Sequence, residues 1–267
     1  MVASVAPDAM TVPLPSALTI SGSDCSGGAG LQADLKTFHR FGVYGQSVVT
    51  LITAQNTRGV SQVQLLDRDL VLAQLEAVLS DIRPRALKTG SIGSAGLVQA
   101  LGERLQSETV PRVVDPVLVS KTGDPLGDAE TARAMREWLL PGALLVTPNR
   151  FELAMLSGGP VEGLEQAIAA AEVLRADGCA AVLLKGCGEQ ADDWLLRDGE
   201  PLRIPADRQA TTSLHGTGCT LSAAITAGLA LGQELVTAVE QGKAFIARAI
   251  ATAPGLGHGV GPVNHWV

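Results

Sequence analysis

Short apolar runs alternate with stretches of helical periodicity along most of the chain. Runs rich in Val, Ile, Leu and Thr predict strands over residues 17–21, 47–53, 86–88, 112–115, 144–146 and 180–184. Apolar residues spaced three and four apart, as at Leu72, Leu75 and Leu79, are typical of a helix. Helices are predicted over residues 30–41, 69–82, 97–105, 128–139, 152–156, 164–176, 220–231 and 235–251.

The order of these elements determines the expected fold class. Alternating strands and helices predict an α/β protein with a mostly parallel central sheet, flanked by helices on both faces. Two further short runs predict a small β-hairpin near residues 193–205. Residues 17–267 are expected to form one domain, and residues 1–16 a loose N-terminal tail. A content of 46% hydrophobic but only 3% aromatic residues agrees with a core of Ala, Leu, Val and Ile.

Charge and cysteine content argue against several classes of protein. The formal net charge is −7 and no run of Lys and Arg occurs, which disfavours a nucleic-acid partner or a membrane surface. No apolar stretch reaches the roughly 18 residues of a membrane span, and no signal peptide is recognisable, so a cytoplasmic protein is expected. The four cysteines and four histidines lack the spacing of zinc ligands, so free thiols are expected.

Small and polar residues follow nearly every predicted strand. In a parallel sheet, ligands bind beyond the carboxyl ends of the strands. The residues at these positions are Ala29 with its neighbouring glycines, Gln55, Lys88, Asp115, Val117, Asn149, Glu152, Lys185 and the segment 216–219. The sequence therefore predicts one ligand site at this edge of the sheet.

Residues 216–219, Gly-Thr-Gly-Cys, lead into an Ala-rich helix. Free backbone N–H groups and the positive end of the helix dipole favour an anion at such a start. The same field is expected to lower the pKa of Cys219 and so to provide a thiolate base. Glycine-rich helix starts also occur without a ligand, with cysteine as a small hydrophobic residue. The segment alone fits both interpretations, and the other strand-end residues favour the anion site.

Three other motifs each have a structural and a functional interpretation. The segment 22–30 is neither a G-x-G-x-x-G nor a Walker A motif, and it fits a flexible turn or a wall of small residues against a flat ligand. Asn149 and Glu152 are typical of a helix N-cap followed by an acid, and such an acid can also hold a hydrated Mg²⁺. Lys185 and Asp115 end buried strands, where the lysine can reach a phosphate and the aspartate fits a turn.

Seven motifs, in order, resemble the hydroxymethylpyrimidine/phosphomethylpyrimidine kinases of thiamine biosynthesis, which belong to the ribokinase-like superfamily. They are SGSDCSGGAGLQADLK at 21–36, TAQNT at 53–57, DPV at 115–117, TPN at 147–149, LKG at 184–186, HGTGCT at 215–220 and GVGPV at 259–263. The resemblance runs from about residue 17 to the C terminus. It implies a ribokinase-like fold and an ATP-dependent, Mg²⁺-assisted phosphorylation of 4-amino-5-hydroxymethyl-2-methylpyrimidine, and then of its monophosphate.

The resemblance also implies roles for residues around the transferred phosphate. Gly216, Thr217 and Gly218 would line the anion hole. Cys219 stands where many members of the superfamily have an aspartate base. Lys185 would reach the transferred phosphate. These five positions are the candidate catalytic residues.

Further residues are implied for the nucleotide, the metal and the pyrimidine. Asn149 and Glu152 match an Asn-x-x-Glu motif near Mg²⁺, and Lys185 and Thr217 would also contact ATP. Asp115 is a second candidate metal ligand beside Glu152. Residues that match pyrimidine contacts are Ala29, Gln55, Val117 and Ser91, the last at a position where many members have methionine.

Two other functions remain open at this point. The departures at Gln55, where some members have glutamate, and at Ser91 make the expected pocket looser and more polar, and a pyridoxal/pyridoxine kinase on the same scaffold is the nearest alternative. A non-catalytic pyrimidine-binding protein is disfavoured because Glu152, Lys185 and the segment 216–219 are intact. The expected partners are a small pyrimidine and ATP, with no nucleic acid and no membrane, and the family is commonly homodimeric.

Overall fold

The computed structural model describes residues 14–187, 192–206, 209 and 211–267. The tail expected over residues 1–16 lies almost entirely outside this part of the chain, and the first strand already begins at Ser16. The strands are β1 (Ser16–Asp24), β2 (Tyr44–Asn56), β3 (Gly59–Leu65), β4 (Ala86–Thr89), β5 (Arg112–Val114), β6 (Leu145–Val146), β7 (Val182–Leu184), β8 (Asp193–Leu196) and β9 (Leu202–Ile204). The helices are α1 (Gly30–Arg40), α2 (Arg68–Ser80), α3 (Ala95–Leu105), α4 (Ala129–Ala134), α5 (Arg150–Ser157), α6 (Gly163–Ala176), α7 (Thr217–Ala230) and α8 (Leu235–Ala251).

The strands form one mixed sheet in the order β3-β2-β1-β4-β5-β6-β7-β8-β9. The six strands from β2 to β7 in this order are parallel to one another. Strand β3 is antiparallel at one edge, and the β8–β9 hairpin is antiparallel at the other. The predicted parallel sheet and its small hairpin are therefore confirmed. No helix in the described ranges is long and apolar enough to cross a membrane.

Successive side chains of the strands point to opposite faces and feed two separate cores. In β7, Val182 and Leu184 pack on the face covered by α2 to α6, whereas Leu183 packs on the face covered by α1, α7 and α8. In β1, Leu18 and Ile20 lie two positions apart and therefore point to the same face, the one covered by α2 to α6. Burial on both faces explains why the strands appear in the sequence as continuous apolar runs.

Two local features differ from the sequence prediction. Strand β3 was not predicted, because most of its residues are exposed and its two-residue connection to β2, Thr57–Arg58, lacks the Asn-Gly or Asp-Gly pair of a typical hairpin turn. The helix predicted over residues 128–139 is confirmed, but its second half, Met135–Leu139, is a π-helical turn.

A fully buried ion pair connects β4 to α1. Lys88 Nζ lies 2.7 Å from Asp34 Oδ1, and both side chains have no solvent-exposed surface. The other oxygen, Asp34 Oδ2, accepts a hydrogen bond of 2.6 Å from Thr19 Oγ1 of β1. Removing one partner of such a pair leaves an uncompensated buried charge, which costs far more than the pair itself contributes.

We predict that Lys88→Met lowers the free energy of unfolding by about 3–5 kcal/mol, because Asp34 then loses its only buried cationic partner within the described residues. Urea unfolding at constant temperature measures the change. Arg68→Met is the control, since the Arg68–Asp69 pair is exposed and its loss should stay within about 0.5 kcal/mol. A loss for Lys88→Met as small as that of the control would contradict the prediction.

Candidate active site

A cavity of about 640 Å³ opens at the carboxyl edge of the parallel strands. The candidate residues line it, except Lys88, whose fully buried side chain pairs with Asp34. Those that line it are Ala29, Gln55, Ser91, Asp115, Val117, Asn149, Glu152, Lys185, Gly216, Thr217, Gly218 and Cys219. The fold thus brings together residues that are up to 190 positions apart in the sequence, as expected for residues that follow parallel strands.

The start of α7 forms one wall of this cavity. Gly216 precedes the helix in the left-handed region at φ 79°, and a side chain there would collide with the backbone carbonyl of Gly28. A Cβ at Gly218 would lie 3.3 Å from Lys185 Nζ. No side chain in the described part of the chain caps this helix start. The N–H of Thr217 donates to the backbone carbonyl of Leu214 at 3.4 Å, so the N–H groups of Gly218 and Cys219 remain available to an anion between the helix and Lys185.

Asp115 joins Lys185 to the neighbouring elements. Its Oδ1 accepts hydrogen bonds from Lys185 Nζ at 2.9 Å and from Thr147 Oγ1 at 3.1 Å. Its Oδ2 accepts one from Ser222 Oγ of α7 at 3.1 Å. Although burial opposes the charge of Lys185, Asp115 and Glu152 raise its pKa above the ordinary value. The lysine is therefore a fixed cation at the edge of the cavity.

Asn149 and Glu152 form a capping box at the start of α5. Asn149 Oδ1 accepts from the Glu152 N–H at 2.9 Å, and Glu152 Oε2 accepts from the Asn149 N–H at 2.8 Å. The structural interpretation of this pair is thus confirmed, yet both residues also line the cavity. Burial, reinforced by Asp115 and opposed by Lys185, raises the pKa of Glu152 to about 7. Its carboxyl group can consequently exchange a proton near neutral pH.

The expectation of a lowered pKa at Cys219 is wrong for the protein without ligands. Burial raises the pKa of its thiol to about 12; Lys88 counteracts this shift, and Asp34 and Asp115 add to it. Desolvation thus outweighs the helix start, whose favourable effect at N-termini is typically about 1 kcal/mol or less. Cys219 is partly accessible from the cavity and is a neutral thiol at physiological pH.

The glycine-rich segment is held in place by Asp24, which is not among the site residues predicted from the sequence. Its carboxylate accepts hydrogen bonds from the backbone N–H groups of Ser26, Gly28 and Ala29 at 2.8–3.1 Å. It also lies 2.8 Å from Nε2 of the buried His215. This arrangement favours the fixed wall over the flexible turn. Two features of the sequence could have indicated this contact: an acid among the glycines of residues 22–30, and a histidine directly before Gly216.

Two buried hydroxyl groups make the cavity more polar than the apolar strands around it suggest. The buried hydroxyl groups of Ser21 and Ser91 have no hydrogen-bond partner among the described residues. Both residues line the cavity. Buried hydroxyl groups are rarely left without a partner, so a ligand or water is expected to complete them.

Comparison with known proteins gives a consistent result. Residues 24–264 match the model of the phosphomethylpyrimidine kinase family. A protein of Rhizobium meliloti (strain 1021) named hydroxymethylpyrimidine/phosphomethylpyrimidine kinase is 48% identical, over 94% of this chain and 96% of its own length.

Two solved structures are also similar. The pyridoxal kinase from Staphylococcus aureus in complex with AMP-PCP and pyridoxal has a TM-score of 0.87 and 37% identity, and the match covers 95% of this chain and 94% of the other. The phosphomethylpyrimidine kinase from Clostridium difficile 630 has a TM-score of 0.78 and 40% identity, with 88% and 99% covered. These neighbours confirm the ribokinase-like fold.

We predict slow alkylation of Cys219 by iodoacetamide near pH 7, because only the thiolate reacts. With a pKa of about 12, the rate should rise about tenfold per pH unit up to the alkaline limit of protein stability. Mass spectrometry of the labelled peptides measures the rate, and the exposed Cys25 serves as the internal comparison. Labelling of Cys219 as fast as that of Cys25 near pH 7 would show that burial does not control this thiol.

Proposed function

This chain belongs to the phosphomethylpyrimidine kinase family, and we propose that it phosphorylates 4-amino-5-hydroxymethyl-2-methylpyrimidine and then the resulting monophosphate, with ATP as donor. It is thus a kinase of thiamine biosynthesis. The observation that carries the proposal is the single cavity that joins an uncapped helix start, a fixed lysine and a thiol. Phosphoryl transfer requires mainly alignment and stabilisation of charge, and these groups supply both.

The first turn of α7 and Lys185 would stabilise the transferred phosphoryl group. The backbone N–H groups of Gly218 and Cys219 belong to the uncapped first turn and point at the space in front of it. Lys185 Nζ lies across that space, held by Asp115 at 2.9 Å. Donors fixed before the reaction need no reorganisation as negative charge develops on the phosphoryl oxygens.

The carboxylates of the cavity fit a magnesium ion that is bound mostly by the nucleotide and water. Among the described residues, no group of three or more His, Cys, Asp and Glu side chains could hold a metal ion alone. Mg²⁺ typically keeps several waters and takes one or two carboxylates beside the phosphates. Glu152 would be the more available of the two carboxylates, because Asp115 already accepts three hydrogen bonds. The ion would neutralise phosphate charge.

Cys219 would accept the proton of the substrate's hydroxymethyl group. As the hydroxymethyl oxygen bonds to the γ-phosphorus, the bond to ADP breaks and the proton passes to the Cys219 thiolate. Because the thiol is protonated in the empty site, it must first release a proton to solvent. Lys88 is the charge that most favours the thiolate. Since the thiol is protonated at neutral pH, the fraction of thiolate, and with it the rate of phosphoryl transfer, should increase with pH.

Pyridoxal-type substrates are a second candidate, and the unpartnered hydroxyl groups of the cavity favour them. Ser91 replaces the methionine expected there, and its hydroxyl group and that of Ser21 are free to bind a ring substituent. The Staphylococcus aureus kinase bound to pyridoxal has the same fold. The pyrimidine remains the better supported substrate, since the family model and the curated relatives are pyrimidine kinases.

Steady-state measurements of ADP release separate these substrates. With Mg²⁺ and ATP, we expect kcat/KM for the aminopyrimidine alcohol to exceed that for pyridoxine and pyridoxal by about tenfold or more, which corresponds to one net hydrogen bond. The monophosphate should also be a substrate. A preference for pyridoxal would make the second candidate the principal function, and no ADP release with any alcohol would exclude a kinase.

Replacing Cys219 tests its assignment as base. We expect Cys219→Ala to reduce kcat about 10²–10⁴-fold with little change in KM, because a general base acts mainly in the transition state. Cys219→Asp should retain activity and lose the steep rise of rate with pH, because a carboxylate is ionised at lower pH than this thiol. Activity of Cys219→Ala close to wild type would refute the assignment.

A further inference from the structure

The side-chain amide of Gln55 lies between His215 and Thr53 at the wall of the cavity. One amide atom, placed as Nε2, is 3.1 Å from His215 Nε2. The other, placed as Oε1, is 3.1 Å from Thr53 Oγ1. A rotation of 180° about the last side-chain bond exchanges these two atoms, so the surrounding hydrogen bonds decide which orientation is adopted.

The contact with Asp24 determines that His215 carries a hydrogen on Nε2. This nitrogen lies 2.8 Å from Asp24 Oδ2. The same oxygen accepts from the backbone N–H groups of Gly28 and Ala29, so it acts as a carboxylate oxygen that can only accept. Although burial acts to raise the pKa of Asp24, hydrogen bonds from His215 and Ser26 hold it below its ordinary value. His215 Nε2 therefore carries its one hydrogen, which it shares in a three-centre bond between Asp24 Oδ2 and the Gln55 amide, so the amide atom that faces it must be an acceptor.

Thr53 leads to the same orientation of the amide. Its hydroxyl group donates to the backbone carbonyl of Ser23 at 3.0 Å, so it has no second hydrogen for an amide oxygen. The Gln55 oxygen next to Thr53 would thus meet another acceptor, while its nitrogen would meet the N–H of His215. Turning the amide over removes both conflicts at once: the oxygen accepts from His215 and the nitrogen donates to Thr53.

We propose that His215 is a specificity-determining residue, because it fixes the orientation of the Gln55 amide that reads the substrate ring. A primary amide has two N–H groups and two oxygen lone pairs. With the amide turned over, one N–H would donate to Thr53 Oγ1, and one lone pair would accept the hydrogen that His215 shares with Asp24. One N–H and one lone pair remain in the cavity, in a fixed order along the amide.

This inference rests on the proposed function and specifies the class of ring that the site selects. The fixed amide matches a ring with an exocyclic amine beside a ring nitrogen, since the amine donates to the oxygen and the ring nitrogen accepts the N–H. A 4-oxo pyrimidine presents the reverse order, a carbonyl oxygen beside a ring N–H. The hydroxymethyl group must stay at Cys219, so the ring cannot turn over to restore the match. The site should therefore reject the deaminated ring.

Calorimetric binding of two ligands tests the proposal. They are 4-amino-5-hydroxymethyl-2-methylpyrimidine and its 4-oxo counterpart. For the wild type, we expect the amino compound to bind about 100-fold more tightly or better, since a site built for one hydrogen-bonding order leaves buried groups unpaired with the other. In His215→Phe, which keeps an aromatic ring but has no N–H, the amide can rotate, and the ratio should fall to about tenfold or less.

The matched control is His265→Phe, which removes another buried histidine, bonded to Thr220 Oγ1 at 3.1 Å, and should leave the ratio unchanged. Thr53→Val releases the other side of the amide and should lower the ratio independently, even if His215→Phe does not fold. Equal binding of the two ligands by the wild type, or an unchanged ratio in a folded His215→Phe, would overturn the proposal. If the wild type binds neither ligand, the proposed function fails instead.

Discussion

The carboxylate of Asp115 holds together the part of the molecule on which the cavity depends. It stands directly after β5 and accepts hydrogen bonds from Thr147 after β6, Lys185 after β7 and Ser222 within α7. Three strand ends and one helix thus converge on two oxygen atoms. Because the group is buried, loss of the lysine would leave an unpaired charge, which costs several kcal/mol. The same bonds fix the lysine opposite the uncapped helix start.

Burial disfavours the charged form of Lys88, Lys185 and Cys219 alike, and the neighbouring charges decide which of the three is charged. Lys88 and Lys185 stay charged because each has a carboxylate partner at 2.7–2.9 Å. Lys88 favours the thiolate of Cys219, but burial and the carboxylates of Asp34 and Asp115 oppose it, and the thiol stays protonated. In the protein without ligands, the two lysines are thus charged, whereas the candidate base is a neutral thiol.

The sequence was sufficient to predict the sheet, its hairpin and the location of the site. Buried parallel strands leave continuous apolar runs, and their carboxyl ends meet at one edge, so residues as distant as Gln55 and Lys185 could be assigned to one cavity. Strand β3 was missed because its residues are largely exposed. The pKa of Cys219 and the contact between His215 and Gln55 depend on burial and on partners far apart in the chain, which no local pattern encodes.

A crystal structure with AMP-PCP, Mg²⁺ and the aminopyrimidine alcohol tests the central claim most directly. We expect terminal phosphate oxygens within hydrogen-bond distance of the first-turn N–H groups of α7 and of Lys185 Nζ. We also expect the hydroxymethyl oxygen of the substrate between Cys219 Sγ and that phosphate. A terminal phosphate bound elsewhere in the cavity, away from the start of α7, would contradict it.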